Sequence, residues 1–303
     1  MIANKLRIGD TIGVVAPSEP ITGERKESLF NGIKIFEDMG FKIKLSNNIY
    51  NNEYGYSSTP ESKANDINNM FSDKEVKAII SAVGGDNSFN MLGLVDYENI
   101  RNNPKIICGY SDSTNYLNAI YTKTGLITYH HGEIVDLGRK TEKEFHLNQF
   151  KKILVDGKLG NVDHNKPYKC LKEGNATGII VGGNLPSIVT LLNTEYCPDF
   201  TDKILFLEVY SKSTDFSLAD RYLGVLKYHG VFDKIKGLWI GHYGADTDNI
   251  KIEDVFMNNL GEYDFPILKC DDFGHDCENV VIPIGSKVKL DATNLNVEIL
   301  SEE

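Results

Sequence analysis

Ser111 follows Gly109 by two positions in the stretch Lys105-Ile-Ile-Cys-Gly-Tyr-Ser-Asp112, a spacing suited to nucleophilic chemistry. Ile106, Ile107 and Cys108 read as an apolar strand, and Tyr116, Leu117, Ile120 and Tyr121 share one face of the helix that follows. A serine at a tight strand-to-helix turn holds its Oγ at the carboxyl edge of a sheet. The helix start behind it offers free backbone N–H groups to a developing oxyanion. The plainer alternative is that Ser111 or Asp112 only caps the helix.

A serine nucleophile needs a base, and the base needs an orienting carboxylate. His146 and His164 lie in a polar stretch and read as solvated, and His229 ends a helix, where a protonated imidazole suits the dipole. His130 and His131 follow the strand 126–129, and His242 ends the strand that carries Trp239. His275 follows Gly274 on a loop after a strand, before Asp276-Cys-Glu-Asn279. His130, His131, His242 and His275 all remain open as the base. Glu208 is the leading carboxylate, because a charge inside Ile-Leu-Phe-Leu-Glu-Val-Tyr must be paired if it is buried; at the exposed end of its strand it would need no partner. Gly84-Gly85 after the strand 76–83 could donate a backbone N–H, or could simply make a tight turn.

These residues need a scaffold, and the first half supplies strand–helix alternation: strands at 11–16, 41–45, 76–83 and 106–108, with helices at 29–39 and 60–71. That pattern predicts an α/β fold with a parallel sheet and ligands outside the carboxyl ends of its strands. A polar connector runs over about 141–175. The second half carries strands at 176–181, 203–210, 236–243, 265–270, 287–290 and 297–300, and helices at 214–229 and 250–260. The expected division is a nucleophile-bearing domain over 1–140, a connector over 141–175 and a β/α domain over 176–303.

Composition narrows the class. The chain has 303 residues, 41% hydrophobic and 25% charged, with a net charge of −11. Its 32 basic side chains are outnumbered by 43 acidic ones, which argues against nucleic acid or an anionic membrane as partner. No apolar run approaches bilayer length and the N-terminus has no signal-peptide core, so a cytoplasmic location is expected. The five cysteines show no Cys-x-x-Cys pair, and no His/Cys/Asp cluster has metal-ligand spacing; neither metal nor cofactor is expected. The first strand leads into Ala16-Pro-Ser-Glu-Pro20 without the Gly-x-Gly-x-x-Gly fingerprint of dinucleotide oxidoreductases.

Several segments together carry a resemblance: Gly9-Asp-Thr-Ile-Gly-Val-Val-Ala-Pro-Ser18, Ala82-Val-Gly-Gly-Asp-Asn-Ser88, Asn103-Pro-Lys105 leading into Gly109-Tyr-Ser-Asp112, Gly182-Gly-Asn-Leu185, Leu205-Phe-Leu-Glu208, Gly274-His275 and Ile282-Pro-Ile-Gly285. In this order they resemble the LD-carboxypeptidase family of serine peptidases, which includes the microcin C immunity peptidases. The resemblance implies a metal-free triad of Ser111, His275 and Glu208. It implies an oxyanion hole from the backbone N–H groups of Gly85 and Asp112. It also implies a Rossmann-like N-terminal domain, a smaller mixed β/α C-terminal domain and a homodimer. Two positions depart from the family pattern: Glu133 after Gly132, where Gly-Pro is common, and Val209 after Glu208, where an acidic residue is common. The expected substrate is a small peptide with an L,D-bond, as in a cell-wall muropeptide. The alternative is an aminoacyl-nucleotide of the microcin type, although the connector has no tryptophan to stack on a base. A catalytically silent peptide- or nucleotide-binding module is the alternative of another class; its mark would be a missing triad residue, and none is missing.

Overall fold

The computed structural model describes residues 1–210, 216–243 and 251–301. The first half alternates β1 (Thr11–Val15), α1 (Glu24–Asp38), β2 (Lys42–Leu45), α2 (Pro60–Ser72), β3 (Val76–Ser81), α3 (Tyr97–Asn102), β4 (Ile106–Gly109), α4 (Thr114–Thr124), β5 (Thr128–His130) and α5 (Ile134–Arg139). β1, β3 and β4 are near-continuous apolar runs, as strands covered on both faces must be. Between the halves lie α6 (Glu144–Phe150) and β6 (Gly160–Asn161). Then come β7 (Lys169–Lys172), β8 (Asn175–Asn184), α7 (Leu185–Leu191), β9 (Lys203–Val209), α8 (Ser217–Tyr228), β10 (Gly237–Tyr243), α9 (Ile252–Leu260), β11 (Ile267–Lys269), β12 (Ile282–Ile284), β13 (Lys287–Asp291) and β14 (Asn296–Ser301). The expected helix starts at Thr214 and Ile250 fall outside the described residues.

Two sheets result. The first has the order β12-β5-β4-β3-β1-β2, with parallel pairing from β2 through β5. Its last strand comes from the far end of the chain: β12 pairs antiparallel with β5, Ile282 opposite His130 and Ile284 opposite Thr128. The second has the order β6-β14-β13-β8-β9-β10-β11-β7; β8 to β11 run parallel and the flanking pairs run antiparallel. The loop 271–281 bridges from the second sheet to the first. The polar connector supplies both edge strands of the second sheet, β6 and β7. Its His146 is not solvated: it is buried and stacks on His131 with ring centres 3.8 Å apart.

Helices α1 and α5 touch backbone to backbone. A side-chain carbon at Gly138 would collide with the carbonyl oxygen of Ser28 and lie 2.7 Å from the Gly32 nitrogen. Neither partner atom is the end of a flexible side chain, so the helices themselves must separate. Gly138→Ala is expected to cost at least about 1–3 kcal/mol, the usual range for overpacking. Urea unfolding measures it; an unchanged midpoint would show that the helices part freely.

Candidate active site

The parallel order of β1, β3, β4 and β5 brings four strand ends to one edge. Ser111 sits just beyond β4 at φ 56°, a left-handed conformation uncommon for a residue with a side chain, costing on the order of 1–3 kcal/mol. The turn survives because its neighbours hold it. Asp112, 4% exposed, accepts the Ser18 hydroxyl and the backbone N–H groups of Asn87 (3.0 Å) and Ser88 (2.8 Å) on one oxygen, and the Asn115 amide (2.7 Å) on the other. This carboxylate ties the ends of β1 and β3 to the serine turn. The Gly84 turn closes over the same spot, for a side-chain carbon there would lie 3.2 Å from Ser111 Oγ.

The second sheet presents its partners across from that edge. Glu208 lies near the end of β9 and is fully buried. In the β8–β9 register Asn184 stands opposite it, and the Asn184 amide donates to Glu208 Oε1 at 2.9 Å. His275 Nδ1 lies 2.8 Å from Glu208 Oε2, and His275 Nε2 lies 2.9 Å from Ser111 Oγ. Since a carboxylate only accepts, Nδ1 carries the proton and Nε2 is left to accept from the serine. The His275 loop is locked behind the ring: the Gly274 N–H donates to Asn279 Oδ1 at 2.7 Å and the Asn279 amide donates back to the Gly274 carbonyl at 3.1 Å. Tyr210 stacks on the imidazole, ring centres 4.4 Å apart, and Tyr110 packs at 4.9 Å.

Burial opposes a charge on either partner, but mutual attraction and their hydrogen bond outweigh it. Glu208 is held below the usual carboxylate range and His275 is raised above the usual imidazole value. The arrangement therefore stabilises an imidazolium at His275.

The three other candidate histidines lie in bonds of their own or in apolar surroundings. His130 is enclosed by Phe206, Phe273 and Tyr110, with both ring nitrogens unpartnered among the described residues, and burial lowers its pKa to about 4. His131 stacks on His146, and His242 Nδ1 lies 2.8 Å from Asp271. Sequence reasoning passed over Asn184, Asn279 and the two tyrosines. For Asn184 a signal was present: Gly182-Gly183-Asn184 closes a strand next to the strand of Glu208.

A cavity of about 560 Å³ borders the His275 loop; Arg139, Lys140 and Lys166 line it together with the carboxylates of Glu142, Asp271, Asp276 and Glu278. Among the described residues, no group of three or more His, Cys, Asp or Glu side chains is placed to hold a metal ion, and no helix is long and apolar enough to cross a membrane.

Comparison with known proteins places the chain. The profile for the LD-carboxypeptidase N-terminal domain matches residues 12–131, and that for the LD-carboxypeptidase C-terminal domain matches residues 177–290. The chain belongs to the LD-carboxypeptidase family. It is a carboxypeptidase of the serine type, and its two-sheet α/β architecture is the family's. One curated relative is the microcin C7 self-immunity protein MccF of Escherichia coli, 30% identical over all of this chain and 96% of its own length. Another is the probable murein peptide carboxypeptidase of Bacillus subtilis, 28% identical over 94% of this chain and 90% of its own. Among solved structures, MccF in complex with aspartyl sulfamoyl adenosine superposes with a TM-score of 0.91, at 28% identity, over 100% of this chain and 99% of that one.

Proposed function

We propose that this LD-carboxypeptidase relative hydrolyses an amide bond by a Ser111–His275–Glu208 relay, on a peptide whose L-residue is followed by a D-residue. The unbroken line of hydrogen bonds from Ser111 Oγ through the imidazole to buried Glu208 carries the reading. Ser111 Oγ attacks the carbonyl carbon while its proton passes to His275 Nε2. Glu208, held by Asn184, stabilises the imidazolium. The backbone N–H groups of Gly85 and Asp112 receive the oxyanion. His275 then protonates the leaving amine, and water hydrolyses the acyl-enzyme by the same route in reverse. Arg139, Lys140 and Lys166 are the cations from which a partner for the substrate's free carboxylate is to be sought.

On this reading residues 1–140 bear the nucleophile, 141–175 connect, and 176–303 supply Glu208 and His275, in a cytoplasmic homodimer that needs no metal. A second reading, cleavage of an aminoacyl-nucleotide, is supported by the likeness to MccF with its sulfamoyl adenosine ligand.

One experiment separates them. Purified protein is given an L,D-tetrapeptide and, separately, aspartyl sulfamoyl adenosine. Release of the terminal D-residue is expected. Release of aspartate alone selects the second reading, and turnover of neither, with intact protein, removes both.

A further inference from the structure

Glu133 occupies the N-cap position of α5, yet its carboxylate makes no capping bond to that helix. It turns inward instead and is 3% exposed. Ser113 Oγ donates to its Oε1 at 2.9 Å, and the Tyr116 hydroxyl donates to Ser113 Oγ at 2.8 Å. Ser113 closes the short turn that begins at Ser111. The other carboxyl oxygen, Oε2, backs the Gly84 turn: the position of a side-chain carbon on Gly84 is 3.4 Å from it and 3.2 Å from Ser111 Oγ. Glu133 thus binds the side chain that closes the serine turn and lies on the side of Gly84 that faces Ser111.

The groups facing Glu133 do not neutralise a charge. Among the described residues, Asp136 comes from α5, accepting from the Tyr110 hydroxyl and 4.0 Å from the Arg139 guanidinium; Asp112 comes from the serine turn; the Cys108 thiol comes from β4, with Tyr110 just beyond it; and hydroxyls come from β3 and α4. Burial, and then the nearby Asp136, push the Glu133 carboxyl up to about 8.

We propose that Glu133 is a positioning residue of the active site: as the uncharged acid it braces the Ser111–Ser113 turn against the Gly84 turn, and its ionisation stops turnover. An ionised Glu133 sets a negative charge beside the place where the oxyanion must form, which opposes the transition state directly. Sequence alone marked this residue only as a departure from the family pattern.

The inference rests on Ser111 being the nucleophile, so the test reads both. A fluorophosphonate probe is reacted with the full chain between about pH 7 and 9.5. Ser111 Oγ attacks phosphorus, fluoride leaves as the P–F bond breaks, and the hydroxyl proton passes to His275. Mass spectrometry locates the adduct. The wild-type labelling rate is expected to fall about tenfold per pH unit above the Glu133 transition, while Glu133→Gln, which cannot ionise, loses that fall. An adduct absent from Ser111 overturns the nucleophile. An adduct on Ser111 with the alkaline fall unchanged in Glu133→Gln overturns only the role of Glu133. Should the variant fail to fold, the wild type decides alone: its infrared difference spectrum must show a protonated-carboxyl band that vanishes as pH rises through about 8. Absence of that band refutes the proposal.

Discussion

Ser111→Ala is expected to lower kcat by about 10⁴-fold or more and to leave the fold intact, as loss of a triad nucleophile does elsewhere. The size follows from what the hydroxyl does. Its Oγ is the atom that His275 Nε2 faces at 2.9 Å, and no other side chain at the turn can take its place there. Asp112 has both oxygens committed to the ends of β1 and β3 and to Asn115. Ser113 Oγ is bound to Glu133. The fold survives because the turn is held by Asp112 and Gly84 rather than by the serine hydroxyl, and alanine meets the same φ of 56° at similar cost. Turnover of the L,D-tetrapeptide, with circular dichroism as the check on folding, decides the matter. An Ala variant that keeps more than about a tenth of the activity shows that Ser111 is not the nucleophile.

Glu208→Gln should cost nearly as much, for a reason of tautomers. Wild-type Glu208 accepts on both oxygens, from Asn184 at 2.9 Å and from His275 at 2.8 Å. A glutamine has one acceptor. If its oxygen keeps the Asn184 amide, its NH₂ faces His275 Nδ1, which must then give up its proton. The proton moves to Nε2, the nitrogen that must accept from Ser111. A loss of about 10⁴-fold in kcat is expected. The pH profile changes too. Against the opposing effect of burial, Glu208 raises the His275 pKa, so the wild-type acid limb lies above the ordinary histidine value, and activity is lost as pH falls through it. Without the carboxylate that limb must move to lower pH. A variant with wild-type kcat, or with the acid limb unmoved, would falsify the orienting role.

How much of this could be read beforehand depends on the range of the interaction. The serine turn was legible because its cause is local: an apolar strand, a glycine and a helix start occupy adjacent positions. Helices α2 and α8 were legible from their apolar faces, and the buried carboxylate of Glu208 from its incongruity in an apolar strand. From residue types alone the base stayed undecided among four histidines. Their surroundings come from distant segments: His130 is enclosed by Phe206 and Phe273, and His131 by the connector's His146. Only the family resemblance singled out His275. The Asn184 bond to Glu208 depends on strand register, and the inward turn of Glu133 depends on Ser113, twenty positions earlier. The first leaves only the hint of Gly182-Gly183-Asn184 at a strand end, and the second leaves no trace in local pattern. His146 was misread for the same reason, since polar neighbours in sequence said nothing of the aromatic ring waiting for it in space.

The strand β12 bears on how the protein is made. It completes the first sheet by pairing with β5, although almost all of the chain lies between the start of that sheet and Ile282. During synthesis the first half can form its helices and parallel ladder early, but the outer edge of β5 stays open until residues 282–284 have left the ribosome. An open edge is a template for pairing with another nascent chain. The same late strand ends the loop that brings His275 to Ser111. The strand that closes the edge also tethers the far end of the His275 loop, so a chain that stops before residue 282 leaves that edge open and that loop held at one end only.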